Sequence, residues 1–367
     1  MSVELPQRDD YRQLFLDNTP MLDVRAPVEY EQGSFPITCN VPIINNDERQ
    51  AIGLCYKKQG QSNAIELGHQ LVKGDIKSQR VNDWVDFVRQ HNKGALFCFR
   101  GGMRSKITQR WIYDQSGIIY PRVKGGYKAM RRFLLNELET SVTEIDFTLL
   151  SGRTGVGKTN LLQTLTQYVD LVGIYRHYGS AFGKMVQQQP SQIDVENELS
   201  ITFMKHRDQQ HNRLVLEDES ASIGSRRIPN SVLTKMAASS VVVLESPFED
   251  RVELIYQQYV VNSRQQHQAR HGIESGTERW ADNLRHALLR IQRRLGGARF
   301  VEVKAMMDMA LIKPYEPAIE EHKAWILFLL KEYYDAMYDY QLEKKAHRIL
   351  FKGDEQAVKA YLTQRAF

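Results

Sequence analysis

The chain has 367 residues, of which 42% are apolar and 25% are charged, and this composition is typical of a folded globular protein. Its length allows two domains, each with its own core. No run of about eighteen apolar residues occurs and the first residues are polar, so a membrane span and a secretory signal are excluded and we expect a cytoplasmic protein.

The number and spacing of the cysteines limit the kinds of cysteine site that the chain can form. The three cysteines are Cys39, Cys55 and Cys98, and none of them belongs to a C-x-x-C pair. This pattern supports neither a disulfide framework nor a zinc site, and no firm metal site is predicted. A thiolate enzyme in a reducing compartment fits such a pattern.

Residues 1–138 are predicted to form an α/β domain with a parallel sheet, because short apolar strands alternate with helical segments. The predicted elements are a first helix at 9–15, a buried strand at 21–24, and helices at 64–73 and 82–90. The polar stretches 45–49 and 56–60 are predicted as surface insertions on this scaffold.

Residues 98–105 (CFRGGMRS) follow an apolar run and precede a helix-compatible segment. A cysteine at a strand end, followed by two glycines and a helix start, predicts a loop whose backbone N–H groups surround an anion beside the sulfur. Arg100, Arg104 and the helix N-terminus all favour the thiolate form of Cys98. The predicted anion loop is completed by Gly101, Gly102 and Ser105. The alternative is a buried structural cysteine, which would give the two arginines and two glycines no purpose.

The spacing Cys-x-x-Gly-x-x-Arg-Ser is shared by cysteine phosphatases and rhodanese-like sulfurtransferases. Residues 22–25 and 29–42 resemble the opening signature of a rhodanese domain, and residues 123–127 resemble its closing signature. The resemblance covers about residues 10–135 and implies a rhodanese-like fold. One residue more than is usual separates the cysteine from the arginine, which implies a wider anion cradle, and Ile37-Thr38 replace the usual Gly-Ala pair.

A second α/β domain is predicted for residues 139–367, after a helical connection at 133–144. An apolar strand at 145–150 is followed by the complete motif Gly-x-x-x-x-Gly-Lys-Thr and then by a helical pattern. The predicted phosphate-binding residues are Gly152, Gly155, Gly157, Lys158 and Thr159. Backbone N–H groups of such a loop wrap a polyphosphate, the lysine contacts the terminal phosphates, and the threonine can hold Mg²⁺. A glycine-rich turn without a ligand is the weaker alternative, because a lysine there would oppose the helix dipole.

Two carboxylates follow the next predicted strand, at 213–216. Either Glu217 or Asp218 is placed to orient a magnesium ion, and the spacing does not choose between them. Acids that merely cap a helix are the alternative. A further strand is predicted at 241–244, the loop 176–183 is expected near the phosphate site, and no Asn-Lys-x-Asp sequence supports a GTPase.

From residue 247 onward the chain is predicted to be mostly helical. Residues 251–300 contain nine arginines, no lysine and four acids, which predicts contacts to phosphates or bases of RNA, with Arg293 and Arg294 as weak candidates. A solvated helical face with ion pairs is the alternative. The aromatic stretch 325–338 is typical of a core stripe, and base stacking beside Lys344, Lys345 and Arg348 is the less common meaning.

Together the two motifs resemble the bacterial tRNA 2-selenouridine synthases along almost the whole chain. Further stretches that resemble this family are 46–49, 176–183, 216–220, 223–224 and 333–338. The resemblance implies replacement of sulfur by selenium in the wobble 2-thiouridine (U34) of tRNAs for Lys, Glu and Gln. It further implies S-geranyl-2-thiouridine as an intermediate, with geranyl diphosphate and selenophosphate as co-substrates.

The resemblance also assigns roles to the two motifs. Cys98 would carry selenium as a selanylcysteine while Arg100, Arg104 and the loop N–H groups bind selenophosphate oxygens. The phosphate loop would hold the diphosphate donor, with Mg²⁺ as a further ligand. The implied partners are the anticodon arm of tRNA and a selenophosphate supplier, with no membrane, and we expect a monomer.

Two other functions stay open on the residues alone. One is a rhodanese-type sulfurtransferase, or an ATP-dependent tRNA thiolation enzyme that activates the uridine oxygen at the phosphate loop. The other is a nucleotide-gated binding module whose cysteine loop only senses an anion.

Overall fold

The computed structural model describes residues 3–312 and 319–364, and the chain forms two compact units. The first unit comprises Met1–Ser141 and Ser191–Lys205, and the second comprises Val142–Pro190 and His206–Phe367. Both contain a parallel sheet with helices, and the C-terminal part is mainly helical, as the sequence predicted. The rhodanese-like character of the first unit stays a prediction.

The first unit contains five strands and six helices that precede residue 145. The strands are β1 (Gln7–Arg8), β2 (Met21–Asp23), β3 (Thr38–Asn40), β4 (Ala95–Phe97) and β5 (Arg122–Val123). The helices are α1 (Tyr11–Leu16), α2 (Pro27–Gln32), α3 (Asn46–Leu71), α4 (Gly74–Gln90), α5 (Met103–Ser116) and α6 (Gly126–Glu144). All strand pairs are parallel, in the order β1-β5-β4-β2-β3.

Alternation along the strands divides the apolar side chains of the first unit between two cores. Leu22, Leu96 and Cys98 belong to one buried cluster, whereas Met21 and Phe97 belong to another. Successive residues of a strand point to opposite faces of the sheet, so each face needs its own cover of helices. Cys98 therefore follows the last residue of β4, and its side chain lies on a buried face of the sheet.

The stretches 45–49 and 56–60 are mainly exposed, as predicted, but they are not loops. Residues 46–49 and 56–60 lie within helix α3, which is interrupted at Gly60 (φ 85°). Asn45 caps this helix: its side chain accepts a hydrogen bond from the Glu48 backbone N–H at 2.8 Å, and Asn45 N–H donates to the Glu48 carboxylate at 2.8 Å. Polar composition suggested loops, but this reciprocal capping pair is a sequence signal for a helix start.

The predicted division at 138/139 also differs from the structure in one respect. Residues 191–205, assigned from the sequence to the second domain, belong to the first unit. They lie in helix α9 (Gln192–Asp208), whose Ile201 and Met204 are buried in the same cluster as Phe97. Asn197 Nδ2 donates to the Ser34 carbonyl at 2.6 Å. Burial of these apolar side chains explains the assignment, which linear order cannot reveal.

The second unit contains the other parallel sheet. Its strands are β6 (Asp146–Ser151), β7 (Tyr168–Val169), β8 (Arg213–Glu217), β11 (Ser240–Leu244) and β12 (Ile349–Gly353). They pair in the order β12-β11-β6-β8-β7, and β9 (Ser222–Ile223) and β10 (Arg226–Arg227) form a separate hairpin. The helices up to β11 are α7 (Lys158–Leu162), α8 (Leu171–Tyr175) and α10 (Asn230–Ala238).

The helical part of the second unit follows β11. It consists of α11 (Phe248–Ile255), α12 (Ser263–His271), α13 (Ile273–Leu295), α14 (Gly297–Ile312), α15 (Ile319–Leu329), α16 (Asp335–Glu343) and, after β12, α17 (Glu355–Gln364). Two segments, Tyr256–Asn262 and Leu330–Tyr334, are π-helical, and Ala346–Arg348 is a short 3₁₀ helix. Within residues 3–312 and 319–364, no helix has the length and apolar content that crossing a bilayer requires.

Candidate functional site

The cysteine loop connects β4 to α5, as the sequence predicted. Cys98 is 3% exposed, and its Sγ lies 3.3 Å from the Ser105 hydroxyl oxygen. The Ser105 hydroxyl donates to the Gly102 carbonyl at 3.0 Å, so it holds the start of α5 beside the sulfur. Ser105 thus contacts both Cys98 and Gly102, two other members of the predicted loop.

A second backbone segment closes on this loop and requires glycine. Gly126 has φ 60°, and a Cβ atom there would lie 2.2 Å from the Cys98 carbonyl oxygen and 2.5 Å from the Gly101 nitrogen. The Tyr127 N–H donates to the Cys98 carbonyl at 2.9 Å. The predicted closing signature at 123–127 therefore forms part of the wall of the cysteine loop, where only glycine permits this approach.

The two arginines of the loop have different surroundings. Arg104 forms ion pairs with Glu29 at 2.5 and 3.0 Å, and Arg49 approaches the same carboxylate at 3.3 Å. Burial disfavours the charged form of Glu29, but the hydrogen bonds from Arg104 outweigh it and hold the pKa of Glu29 below its ordinary value. Arg104 is thus already neutralised, whereas Arg100 is exposed. The roles of Arg100 and Arg104 as anion ligands stay predictions, and an anion at Arg104 would share it with Glu29.

Arg122 is a member of this site that the sequence did not indicate. It is 9% exposed and donates to the Gly101 carbonyl at 3.1 Å. Burial lowers the pKa of its guanidinium, and the neighbouring Cys98 sulfur opposes that effect. Arg122 lies in β5, beside β4, so only the strand order brings it to the loop.

An apolar cavity of about 750 Å³ adjoins the cysteine loop within the first unit. Met103 and Arg104 form one side of it, and apolar side chains of α3 and α5, such as Ile52 and Trp111, form others. Arg49 and Arg104 are two of the cations that line it, and both pair with Glu29.

The second candidate site is the phosphate loop between β6 and α7. The predicted residues Gly152, Gly155 and Gly157 all have φ between 81° and 159°, which suits glycine. Lys158 Nζ donates to the Gly152 carbonyl at 2.9 Å, so the lysine folds back across the loop. The backbone N–H groups and the lysine converge as anion binding requires.

The structure distinguishes the two carboxylates that the spacing could not. The Thr159 hydroxyl donates to Glu217 at 2.8 Å, and the other Glu217 oxygen accepts from the Leu171 and Val172 N–H groups at 3.0 and 3.3 Å. Burial raises the pKa of Glu217 to about 7. Asp218 instead pairs with a lysine of the C-terminal part, Lys345, at 2.6 Å. Glu217 is therefore the partner of the phosphate-loop threonine.

A cavity of about 840 Å³ opens at the phosphate loop. Its lining includes Gly152, Lys158 and Thr159 of the loop, and Glu217, Asp218 and Arg294. Residues 178–181 line it as well, which confirms the predicted position of that segment. Among the described residues, no group of three or more His, Cys, Asp or Glu side chains could hold a metal ion, so a cation here would need phosphate oxygens as further ligands.

Two acids of helix α16 are connected to the phosphate loop through arginines, which the sequence did not indicate. Arg251, 2% exposed, donates to the Thr154 carbonyl at 2.9 Å and pairs with Asp335 at 2.5 and 3.0 Å. Arg153 pairs with Asp339 at 2.8 Å. The two acids are four residues apart and share a helix face, a spacing that is visible in the sequence.

These contacts show that part of the arginine-rich window 251–300 has a structural role. Arg251 is a buried structural cation, and Arg285 and Arg299 form ion pairs with acids at 3.1 and 3.2 Å, as the alternative interpretation proposed. Arg293 and Arg294 are exposed near the end of α13 and stay candidates for RNA contacts.

The aromatic stretch 325–338 is likewise part of the interior. Trp325, Tyr333 and Tyr334 are at most 9% exposed, which rules them out as an open platform for bases and agrees with the core-stripe interpretation. Two of the cations beside them are used internally: Lys345 pairs with Asp218, and Arg348 donates to backbone carbonyls at 2.7 and 3.0 Å.

Known proteins with similar sequences identify the family of this chain. Residues 145–367 match the family model described as the tRNA 2-selenouridine synthase AAA domain. A tRNA 2-selenouridine synthase of Pseudomonas fluorescens (strain Pf0-1) is 48% identical over 366 residues, covering 100% of this chain and 99% of that protein. Those of Marinobacter nauticus and Cupriavidus pinatubonensis are 47% and 46% identical, and each alignment covers at least 97% of both proteins.

Among solved structures, the N-terminal domain of a protein described as ATP/GTP-binding, from Clostridium difficile 630, is 31% identical over 31% of this chain and 88% of that chain. Its TM-score of 0.28 is too low to support an argument about fold. The full-length identities and the family model together confirm the resemblance seen in the motifs. The chain belongs to the tRNA 2-selenouridine synthase family of selenium-transferring, tRNA-modifying enzymes.

Proposed function

We propose that this protein converts the wobble 2-thiouridine of tRNAs for Lys, Glu and Gln to 2-selenouridine in two steps, through S-geranyl-2-thiouridine. The observation that carries the proposal is the presence, in one member of this family, of two chemically different sites. One is a buried cysteine at the start of a glycine-containing loop, and the other is a phosphate-loop motif beside a large cavity.

The phosphate loop supports the first step, in which geranyl diphosphate alkylates the thiocarbonyl sulfur. Alkylation needs a departing diphosphate to be stabilised, and Lys158 with the loop N–H groups supplies positive charge and donors for it. A magnesium ion fits beside Thr159 and Glu217, whose 2.8 Å contact gives oxygen ligands next to the phosphates. Such an ion would supply further charge to the departing diphosphate.

The cysteine loop supports the second step, in which selenium replaces the geranylated sulfur. Arg100 and the loop N–H groups bind the oxygens of selenophosphate. The Cys98 thiolate attacks the selenium to form the selanylcysteine, and the electron pair of the P–Se bond goes to phosphorus, which leaves as phosphite. Selenium then attacks C2 of the base, and geranyl thiolate leaves with the electron pair of the C2–S bond. A first thiol of the reaction mixture attacks the Cys98 sulfur, which releases 2-selenouridine and leaves a mixed disulfide, and a second thiol reduces that disulfide to free Cys98.

The test is the nucleoside profile of 2-thiouridine tRNA treated with geranyl diphosphate, selenophosphate and a thiol. Lys158→Ala should leave unmodified 2-thiouridine, whereas Cys98→Ala should accumulate S-geranyl-2-thiouridine. The opposite pattern would show that the steps are assigned to the wrong motifs. In a parallel reaction with unmodified tRNA, ATP and a sulfur donor, formation of 2-thiouridine with ATP consumption would instead identify a sulfurtransferase.

A further inference from the structure

The cavity at the phosphate loop has an aromatic wall that diphosphate binding does not explain. Tyr178, Tyr259 and Tyr334 line it together with the loop. Tyr259 and Tyr334 also line an adjoining cavity of about 20 Å³, whose surface is apolar and whose other walls include Phe182 and Trp325. A polyphosphate needs donors and positive charge, so this wall serves another part of a ligand.

Two π-helical segments supply much of the wall. Tyr256–Asn262 contributes Tyr259, and Leu330–Tyr334 contributes Tyr333 and Tyr334. π-Helical turns are rare in proteins and are concentrated at functional sites. Both interruptions of regular helix fall where aromatic side chains reach the cavity, which indicates a surface shaped for a ligand.

The hydroxyl groups of the wall are buried and uncharged. Tyr259 Oη lies 3.1 Å from Ser180 Oγ, and Tyr334 Oη is buried without a hydrogen-bond partner among the described residues. Burial raises the pKa of Tyr259 to about 12 and that of Tyr334 well above its ordinary value. Both side chains therefore remain neutral phenols, with electron-rich ring faces and no anionic oxygen.

We propose that this aromatic wall binds the branched hydrocarbon chain of an allylic diphosphate whose phosphates occupy the phosphate loop, an inference that rests on the geranylation proposed above. A cavity of about 840 Å³ is of the size that holds small-molecule ligands. A hydrocarbon chain needs no hydrogen bonds, which suits the small apolar extension lined by Phe182 and Trp325.

The aromatic wall also lies beside the phosphate loop, where positive charge would develop on the allylic carbon of the donor during the reaction. The C1–O bond of the donor breaks with its electron pair going to the diphosphate, and the C1–S bond forms from a lone pair of the thiouridine sulfur. The N3 proton of the base passes to solvent. Lys158 stabilises the departing anion, and the faces of Tyr259 and Tyr334 stabilise the positive charge on the allylic carbon.

A second large cavity, beside the cysteine loop, is less suited to the phosphates of the donor. Two of its lining cations, Arg49 and Arg104, are paired with Glu29 at 3.3 Å and 2.5 Å. A diphosphate there would have to displace this carboxylate, whereas the phosphate loop offers backbone donors and Lys158.

The experiment uses the full-length protein and measures separately how the hydrocarbon part and the diphosphate part of the donor contribute to binding. Calorimetric titration compares geranyl diphosphate, inorganic diphosphate and ATP, and a quench assay measures geranyl transfer to 2-thiouridine tRNA. Wild-type protein should bind geranyl diphosphate at least about tenfold more tightly than inorganic diphosphate, because the chain is buried. Tyr259→Leu and Tyr334→Leu should each slow transfer about tenfold while the affinity for inorganic diphosphate changes less than about twofold.

Two further variants isolate the role of the ring. Tyr334→Phe keeps the ring and should transfer geranyl faster than Tyr334→Leu. Tyr340→Leu, at a tyrosine that is 57% exposed on α16 and does not line the cavity, should behave as wild type. Thermal unfolding of every variant reports folding, and if the leucine variants do not fold, the wild-type binding comparison decides alone.

The outcomes separate this inference from the proposed function. Two outcomes would show that the aromatic wall does not bind the hydrocarbon chain. In one, wild-type protein transfers geranyl but binds geranyl diphosphate no more tightly than inorganic diphosphate. In the other, folded leucine variants transfer geranyl at the wild-type rate. If ATP binds more tightly than geranyl diphosphate and the leucine variants lose it, the wall is a nucleotide site. If wild-type protein transfers no geranyl at all, the proposed function itself fails.

Discussion

Replacing Arg251 by methionine should destabilise the second unit far more than any other arginine change near the phosphate loop. The Arg251 side chain is 2% exposed and that of Asp335 is 17% exposed, and their atoms approach to 2.5 Å. Removing one partner of a buried ion pair costs about 3–5 kcal/mol, because the other charge is left without compensation. Partial exposure of Asp335 and its second contact, with Arg153 at 4.0 Å, favour the lower end, and loss of the hydrogen bond to the Thr154 carbonyl adds about 1 kcal/mol.

The expected cost of Arg251→Met is therefore about 3–4 kcal/mol, which corresponds to a fall in Tm of roughly 6–15 °C for a unit of this size. Differential scanning calorimetry of the full-length chain measures it. The affinity for inorganic diphosphate should fall as well, because Arg251 fixes the backbone of the phosphate loop.

Arg153→Met is the matched control, since Arg153 pairs with Asp339 on the same helix but both side chains are over 40% exposed. Its cost should not exceed about 1 kcal/mol. The double variant Arg251→Met/Asp335→Leu should recover part of the lost stability, because no unpaired charge remains. If Arg251→Met unfolds no earlier than Arg153→Met, or the double variant is no better than the single one, the ion pair does not carry the stability argued here.

Three further predictions concern other residues. Cys39→Ser and Cys55→Ser should keep turnover in the nucleoside assay, since neither cysteine is as buried as Cys98 or part of its loop; loss of activity in either folded variant would require a relay of cysteines. Changing the exposed Arg293 and Arg294 to Gln should weaken tRNA binding at all sequences and reduce the salt dependence of the affinity by up to about two phosphate contacts; an unchanged slope in filter binding would move the RNA surface elsewhere. Glu217 has its pKa raised by burial from 4.5 to about 7, so the folded state holds a proton that the unfolded state releases. The stability that Glu217 contributes is complete below pH 4.5 and is lost as the pH rises through about 7. In calorimetry, the Tm of Glu217→Gln should therefore fall less over this pH range than the Tm of the wild type. An equal fall in Tm would refute the raised pKa of Glu217.

The sequence by itself determined the features that are local in the chain. The cysteine loop and the phosphate loop are each formed by about eight consecutive residues, whose glycines, cations and flanking apolar strands prescribe a backbone conformation with few alternatives. The alternation of strands and helices likewise predicted two parallel sheets, because periodicity is a property of neighbouring residues. The family followed from the order of these motifs along the chain.

Only the tertiary structure decided which distant side chains meet at each loop. Glu29 neutralises Arg104 from 75 residues away, and Asp335 reaches Arg251 from 84 residues away. The choice of Glu217 over Asp218 depends on β8 lying beside β6, where Glu217 pairs in register with Leu150. The placement of residues 191–205 in the first unit depends on apolar side chains that find their partners there. Such contacts depend on strand order and burial, which act between segments far apart in sequence, and no local pattern of residues encodes them.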